Sequence, residues 1–216
     1  MKKLFAAAAL VLCTGLVWGQ QDQKARSILE QVTEHTRACA SMQAAFSYVM
    51  ENSDEGIREV NRGNILIKGD KYHLKLTQLG METFCDGENV WTYMEDVNEV
   101  NISSLEDEAA NMLNPSKLFT IYEEGFRYRY VGEHKEQGVP VFEIDLIPES
   151  GEGDFSRIRL QVEQERKLVK RAEMEGKDGN TYVVEVHDLK VDVPAENRQF
   201  VFDPAQHPGV ELVDLR

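Results

Sequence analysis

Apolar and polar residues alternate with a period of two along most of this chain, and fall at helical spacing only near its start and near its middle. Ala25, Ile28, Leu29, Val32 and then His35 or Thr36 recur as one face of a helix. Lys24, Arg26, Glu30, Glu34 and Arg37 fall opposite them. The pattern predicts a helix from Asp22, a capping residue, to about Ala40, with one face packed on a sheet. From Ser41 the period changes. Met42, Ala44, Phe46, Tyr48 and Met50 alternate with Gln43, Ala45, Ser47 and Val49 as a strand, and Arg58 to Lys68 returns antiparallel after the polar turn at Asn52 to Gly56.

Gly63 to Ile102 then reads as a meander. Ile65 and Ile67 share one strand face, Gly69-Asp70 turns the chain, and Tyr72, Leu74 and Leu76 alternate with Lys71, His73 and Lys75. Asp86-Gly87 between Thr83-Phe84-Cys85 and Val90-Trp91-Thr92-Tyr93 is a strong hairpin signal, and Val97 to Ile102 closes the run. Ser103 to Gly125 breaks the pattern. Acids follow Ser103 and Ser104, Ala109, Met112 and Leu113 make a short apolar face, and Pro115 suits the first turn of a second helix carrying Leu118, Phe119, Ile121 and Tyr122. Strands resume from Phe126 to Glu133, Val139 to Ile147, Phe155 to Val162, Leu168 to Met174 and, after Asp178-Gly179, Tyr182 to Val186. Phe200 to Asp203 predicts a last short strand stopped by Pro204, and Gly209 to Leu215 trails off. The sum is one α+β domain of about eleven strands and three helices.

The order of three segments, I-K-G-D-K-Y from Ile67, D-G-E-N-V-W-T-Y from Asp86 and N-E-V-N-I from Asn98, resembles the LolA-like family of periplasmic outer-membrane lipoprotein carriers. The resemblance extends through the order of elements in the chain: helix, meander, helical insert, second meander, aromatic C-terminal strand. It implies a half-open antiparallel β-barrel with helices capping its concave face and lipoprotein acyl chains held between sheet and helices. One departure is plain. Many family members carry an Arg-Pro pair after the strand that here ends at Lys68, the Arg tethering the lid, and this chain has Gly69-Asp70 there. Lys68 is the candidate substitute, although its ammonium lacks the planar fork of Arg, so the resemblance leaves the locking of the lid open.

The first residues read as an address. Met1-Lys2-Lys3 precede an apolar run, Leu4 to Val17, and Val17-Trp18-Gly19 suits a cut before Gln20, so residues 1–19 are expected to be a signal peptide and 20–216 a single exported domain. Cys13 lacks the small residue before it that a lipoprotein signal needs. The 38 acidic residues against 24 basic ones give a formal charge of −14, and losing Lys2 and Lys3 lowers it by two more. Such a surface repels nucleic acid and anionic membranes. Cys39 and Cys85 remain after the cut and could pair in an oxidising compartment or stay as thiols.

Catalytic signatures are missing from the sequence. It contains no G-x-S-x-G, H-E-x-x-H or P-loop, and His35, His73, His134, His187 and His207 are scattered singly. We therefore expect no enzyme, no metal and no cofactor. A binding function would rest on the apolar inventory: Phe46, Tyr48, Ile65, Ile67, Tyr72, Leu74, Trp91 and Tyr93 as cavity lining, with Met112, Leu118 and Phe119 on a movable lid. Ordinary core packing is the rival reading for each of them. The resemblance implies a monomeric periplasmic carrier of lipidated proteins, served by an inner-membrane ABC-type release complex and delivering to an outer-membrane acceptor. A lipid- or lipoprotein-sensing regulator on the same half-barrel is the alternative, followed by a closed-core structural protein and an envelope hydrolase.

Overall fold

The computed structural model describes residues 14–108, 125–151 and 153–216. Over these the chain forms one twelve-stranded sheet with a long helix, α1 (Thr14–Ala38), against one face. The strands are β1 (Met42–Asn52), β2 (Ile57–Lys68), β3 (Lys71–Leu76), β4 (Met81–Cys85), β5 (Asn89–Met94) and β6 (Glu99–Ser104). After a helical turn at Leu105–Glu108 come β7 (Phe126–Glu136), β8 (Val139–Pro148), β9 (Phe155–Glu163), β10 (Val169–Gly176), β11 (Thr181–Val191) and β12 (Glu211–Asp214).

Two antiparallel meanders, β2 to β6 and β7 to β11, are joined because β1 pairs with both β2 and β11. β7 and β12 are the two ends of the sheet, so the barrel is open. β1 is thus the hinge of the architecture. Its Phe46 lies opposite Gly63 of β2, where an added Cβ would stand 2.7 Å from Phe46 Cζ and 2.6 Å from the Lys75 carbonyl oxygen. The glycine is there for close approach, not for its backbone freedom. Gly63→Ala is expected to cost about 2 kcal/mol by overpacking, measurable by denaturant unfolding.

α1 buries the face that the sequence predicts: Ala25, Ile28, Leu29 and Val32 are all 5% exposed or less and join the main apolar cluster. Its start differs from expectation. Over the described residues the helix already runs from Thr14, so Asp22 lies inside it and caps nothing, and Gly19 does not break it. Among the described residues no helix is long and apolar enough to cross a membrane. Met112, Leu118 and Phe119, the expected lid, lie outside the described residues.

The C-terminal segment also departs from expectation. Residues 200–203 form no strand. Glu196 and Gln199 make a reciprocal capping box that winds Asn197–Phe200 into a 3₁₀ turn, and the Asp203 carboxylate accepts from the Ala205 N–H at 3.0 Å to start another. The strand comes later, as β12, which pairs parallel with β6 from Glu211 opposite Glu99 to Asp214 opposite Ile102.

Candidate functional site

Period-two geometry gives each strand one side chain up and one down, and pairing register lines those side chains into rungs across the sheet. On the face that carries α1, one rung runs Tyr48, Val184, Ala172, Leu160, Ile144, Tyr130 across six strands. The next runs Met50, Tyr182, Met174, Ile158, Leu146, Tyr128. In the other direction Met42, Ile67, Tyr72, Cys85 and Val90 continue the face through β5. No charged residue interrupts these three rungs. Ile144, Leu146, Ile158, Leu160 and Ala172 have no exposed surface at all.

Six of the eight sequence-predicted lining residues belong here. Phe46, Ile65, Tyr72 and Leu74 are 3–4% exposed within the main cluster, and Tyr48 and Ile67 pack against it half-buried. α1 shares that cluster, so in this state the six are packed core beneath a helix. Tyr48 stacks on Tyr182 at 6.2 Å between centroids, and burial, with smaller contributions from Tyr182 and Glu59, pushes its phenol up to about 12. It stays a neutral, largely apolar surface at any physiological pH.

Trp91 and Tyr93 are corrections. They alternate with Val90, whose side chain enters the main cluster, and so face away from α1. There they form a second cluster with Val100, Phe84 and Phe202. The Phe202 ring meets Tyr93 at 5.6 Å and Phe84 at 5.8 Å, and His207 stacks on Phe202 at 4.7 Å. The physical reason is that the C-terminal segment covers the back of β3 to β6, making that part of the sheet apolar on both faces. An aromatic alternation cannot say which of two buried faces it serves. Trp91→Ala is expected to cost about 1–2 kcal/mol in denaturant unfolding, since the ring is half-buried.

Lys68 is also placed on this rear face, where its Nζ donates to the Ala195 carbonyl at 2.8 Å. Of the histidines, His73 contacts Glu82 at 2.7 Å and stacks on Phe84, and His187 contacts Ser47 at 3.0 Å. Cys39 and Cys85 are free thiols whose Sγ atoms donate to the His35 and Asp70 carbonyls, and burial pushes both thiols up. The link between first helix and hairpin that the sequence left open is not made. Among the described residues, no three His, Cys, Asp or Glu side chains are grouped to hold a metal ion.

A feature that sequence reasoning missed lies behind β7 to β10. Asp145 is fully buried there, receiving Arg129 Nη2 at 2.5 Å and Arg159 Nε at 2.7 Å, with Arg157 Nη1 at 3.7 Å. The signal was present as charges at alternate positions on β7, β8 and β9, but the register that aligns them is not local.

Sequence and structure comparisons place these features in a family. The family model described as "Outer membrane lipoprotein carrier protein LolA" matches residues 37–203. No curated protein matches the chain in sequence. An uncharacterized conserved protein from Thermus thermophilus is similar in structure with a TM-score of 0.61 at 14% identity, covering 89% of this chain and 99% of that one. The Mycobacterium tuberculosis lipoprotein LppX is similar with a TM-score of 0.53 at 12% identity, covering 81% and 98%. At these identities the two structures speak to the fold alone. The match of the family model over most of the chain, together with an open, almost wholly antiparallel sheet covered by a helix, identifies this protein as a member of the LolA family.

Proposed function

We propose that the protein is a periplasmic carrier that shields the acyl chains of lipoproteins on the helix-side face of its sheet and takes them from the inner to the outer membrane. The observation that carries this reading is the set of uncharged rungs running from β5 to β7 on one face of an open sheet. An acyl chain costs roughly 0.8 kcal/mol per CH₂ exposed to water, so a multiply acylated protein cannot cross an aqueous compartment bare. Phe46, Tyr48, Ile65, Ile67, Tyr72 and Leu74 would line the site, and α1 is the internal occupant that cargo must displace. Such competition keeps the net affinity moderate, so that cargo can be surrendered without an energy source.

Processing after Gly19 would leave a single exported domain, residues 20–216, still carrying all four apolar contacts of α1. An inner-membrane ABC-type complex would load it, an outer-membrane acceptor would unload it, and it would act as a monomer. The decisive assay adds purified processed protein to spheroplasts of the source bacterium making labelled lipoproteins. A soluble one-to-one complex in the supernatant is expected. Lipoproteins retained on the spheroplasts, although the release machinery is active and the protein folded, would remove the lipoprotein carrier reading.

A further inference from the structure

α1 is held to the sheet in two different ways along its length. Toward its C-terminal half the hold is apolar and buried, through Ile28, Leu29 and Val32. Toward its start the hold is cationic. Lys24 places Nζ 3.8 Å from the ring centroid of Tyr130 on β7 and 5.7 Å from that of Phe142 on β8. Arg26 lies over Tyr128, two residues along β7, with Cζ 5.2 Å from the ring centroid. Glu133 completes the group: its carboxylate stands 3.9 Å from Lys24 Nζ and accepts the Tyr130 hydroxyl at 3.3 Å.

These contacts lie at an end of the sheet. β7 is its last strand, and α1 runs closest along it. Lys24 and Glu133 are each about half exposed. A cation lifted from a ring at such a place returns to water, so the contact is weak and reversible, whereas a buried apolar side chain would hold the edge shut. Between the two cations only Ala25, a single methyl group, is buried. The other end of α1 is fixed by hydrogen bonds to the chain that leaves β11. The Ala40 N–H donates to Asp192 Oδ1 at 2.8 Å, the Asp192 N–H to the Ser41 carbonyl at 2.8 Å and the Ser41 hydroxyl to the Val193 carbonyl at 2.5 Å.

We infer that α1 is a hinged cover, pivoting where Ala40 and Ser41 are tied to Asp192 and Val193, and latched where Lys24 and Arg26 sit on Tyr130 and Tyr128. The helix-side face then opens at the β7 edge. The inference rests on the acyl-binding reading and adds the direction of opening to it. Acyl chains enter between α1 and β7, and the rings that the cations vacate, Tyr128, Tyr130 and Phe142, are the first surface they meet. Lifting the latched end uncovers Ala25 first; lifting the other end would break three hydrogen bonds before any of the apolar face was free.

The test compares the processed protein with the double variant Lys24→Gln/Arg26→Gln and with Lys24→Arg, which keeps a cation for the Tyr130 ring. Gln preserves helix propensity, so the double change acts on the latch and not on the helix. The probe is the methyl ester of parinaric acid, a fluorescent polyene acyl chain with no charge to pair with either cation. The double variant is expected to bind it about tenfold more tightly than wild type, with Lys24→Arg close to wild type. Backbone hydrogen exchange, followed on the same proteins without probe, should quicken about tenfold over residues 24–30, because a lifted helix end frays, and stay unchanged over residues 36–42. Equal or weaker probe affinity in the double variant, or exchange that quickens along the whole helix or nowhere, overturns the hinged cover and leaves the acyl-binding reading standing. Probe binding by none of the three proteins defeats the acyl-binding reading, and the exchange pattern alone then upholds or overturns the hinge and latch.

Discussion

Leu29→Ala is expected to make the protein less stable and a better binder of acyl chains. Leu29 is 3% exposed in the main cluster, between Ile28 and Val32 on the buried face of α1. Removing its isobutyl group should cost about 3 kcal/mol, from lost transfer energy and the cavity left behind. In an ordinary core that loss would weaken everything, including any ligand site. In a carrier whose own helix occupies the ligand's place, the helix-docked state competes with cargo. Apparent affinity is the intrinsic affinity multiplied by the fraction of molecules with the face uncovered. Destabilising the docked state raises that fraction, so affinity for a fluorescent fatty acyl probe should rise, by up to about a hundredfold if the whole effect falls on docking. Unfolding in denaturant and probe titration on the same sample give the two numbers. A fall in affinity that parallels the fall in stability would mean that α1 supports the site instead of occupying it.

The second large effect is expected on the opposite face. Asp145→Ala should destabilise the fold by about 3 kcal/mol, the lower end of the range for breaking a buried ion pair. The carboxylate is fully buried, but it is enclosed by guanidinium groups that remain a quarter to two-fifths exposed, so the arginines left behind can turn toward water. Burial is the largest single influence on this group and pushes its pKa up. The hydrogen bonds from Arg159 and Arg129, with the charges of Arg159 and Arg157, together outweigh burial and hold the carboxyl below the usual aspartate range. A folded-state value below the unfolded one, about 3.9, stabilises the protein above that pH, and the contribution disappears as pH falls through the folded value. Wild type and variant should therefore differ most near neutral pH and converge below about pH 4. A difference independent of pH would assign the cost to lost packing.

The unequal legibility of the chain has a physical basis. Period-two alternation and two Asp-Gly turns exposed the strands of both meanders, because those signals act within a few residues. The buried face of α1 was legible for the same reason: Ala25, Ile28, Leu29 and Val32 satisfy helical spacing on their own. What failed required knowledge of partners far along the chain. Trp91 and Tyr93 were assigned to the face with Leu74, although Phe202, more than a hundred positions away, covers them from the other side. Strand β12 went unseen because Glu211–Asp214 shows no alternation; only Val213 of its four residues is even half-buried, and backbone pairing with β6 defines it. The arginines around Asp145 look like solvated strand faces until register sets them side by side.

The central claim is that acyl chains occupy the helix-side face and not the rear one. A photo-crosslinking amino acid placed at half-buried positions distinguishes the two faces: Ile67 and Tyr48 on the helix side, Trp91 on the rear. Each variant would be loaded with a radiolabelled acylated lipoprotein, irradiated and digested. Label attached through positions 67 and 48, with none above background through 91, is the predicted result. Label through position 91 at the level of the other two, or label at none of them despite a soluble complex, would contradict it.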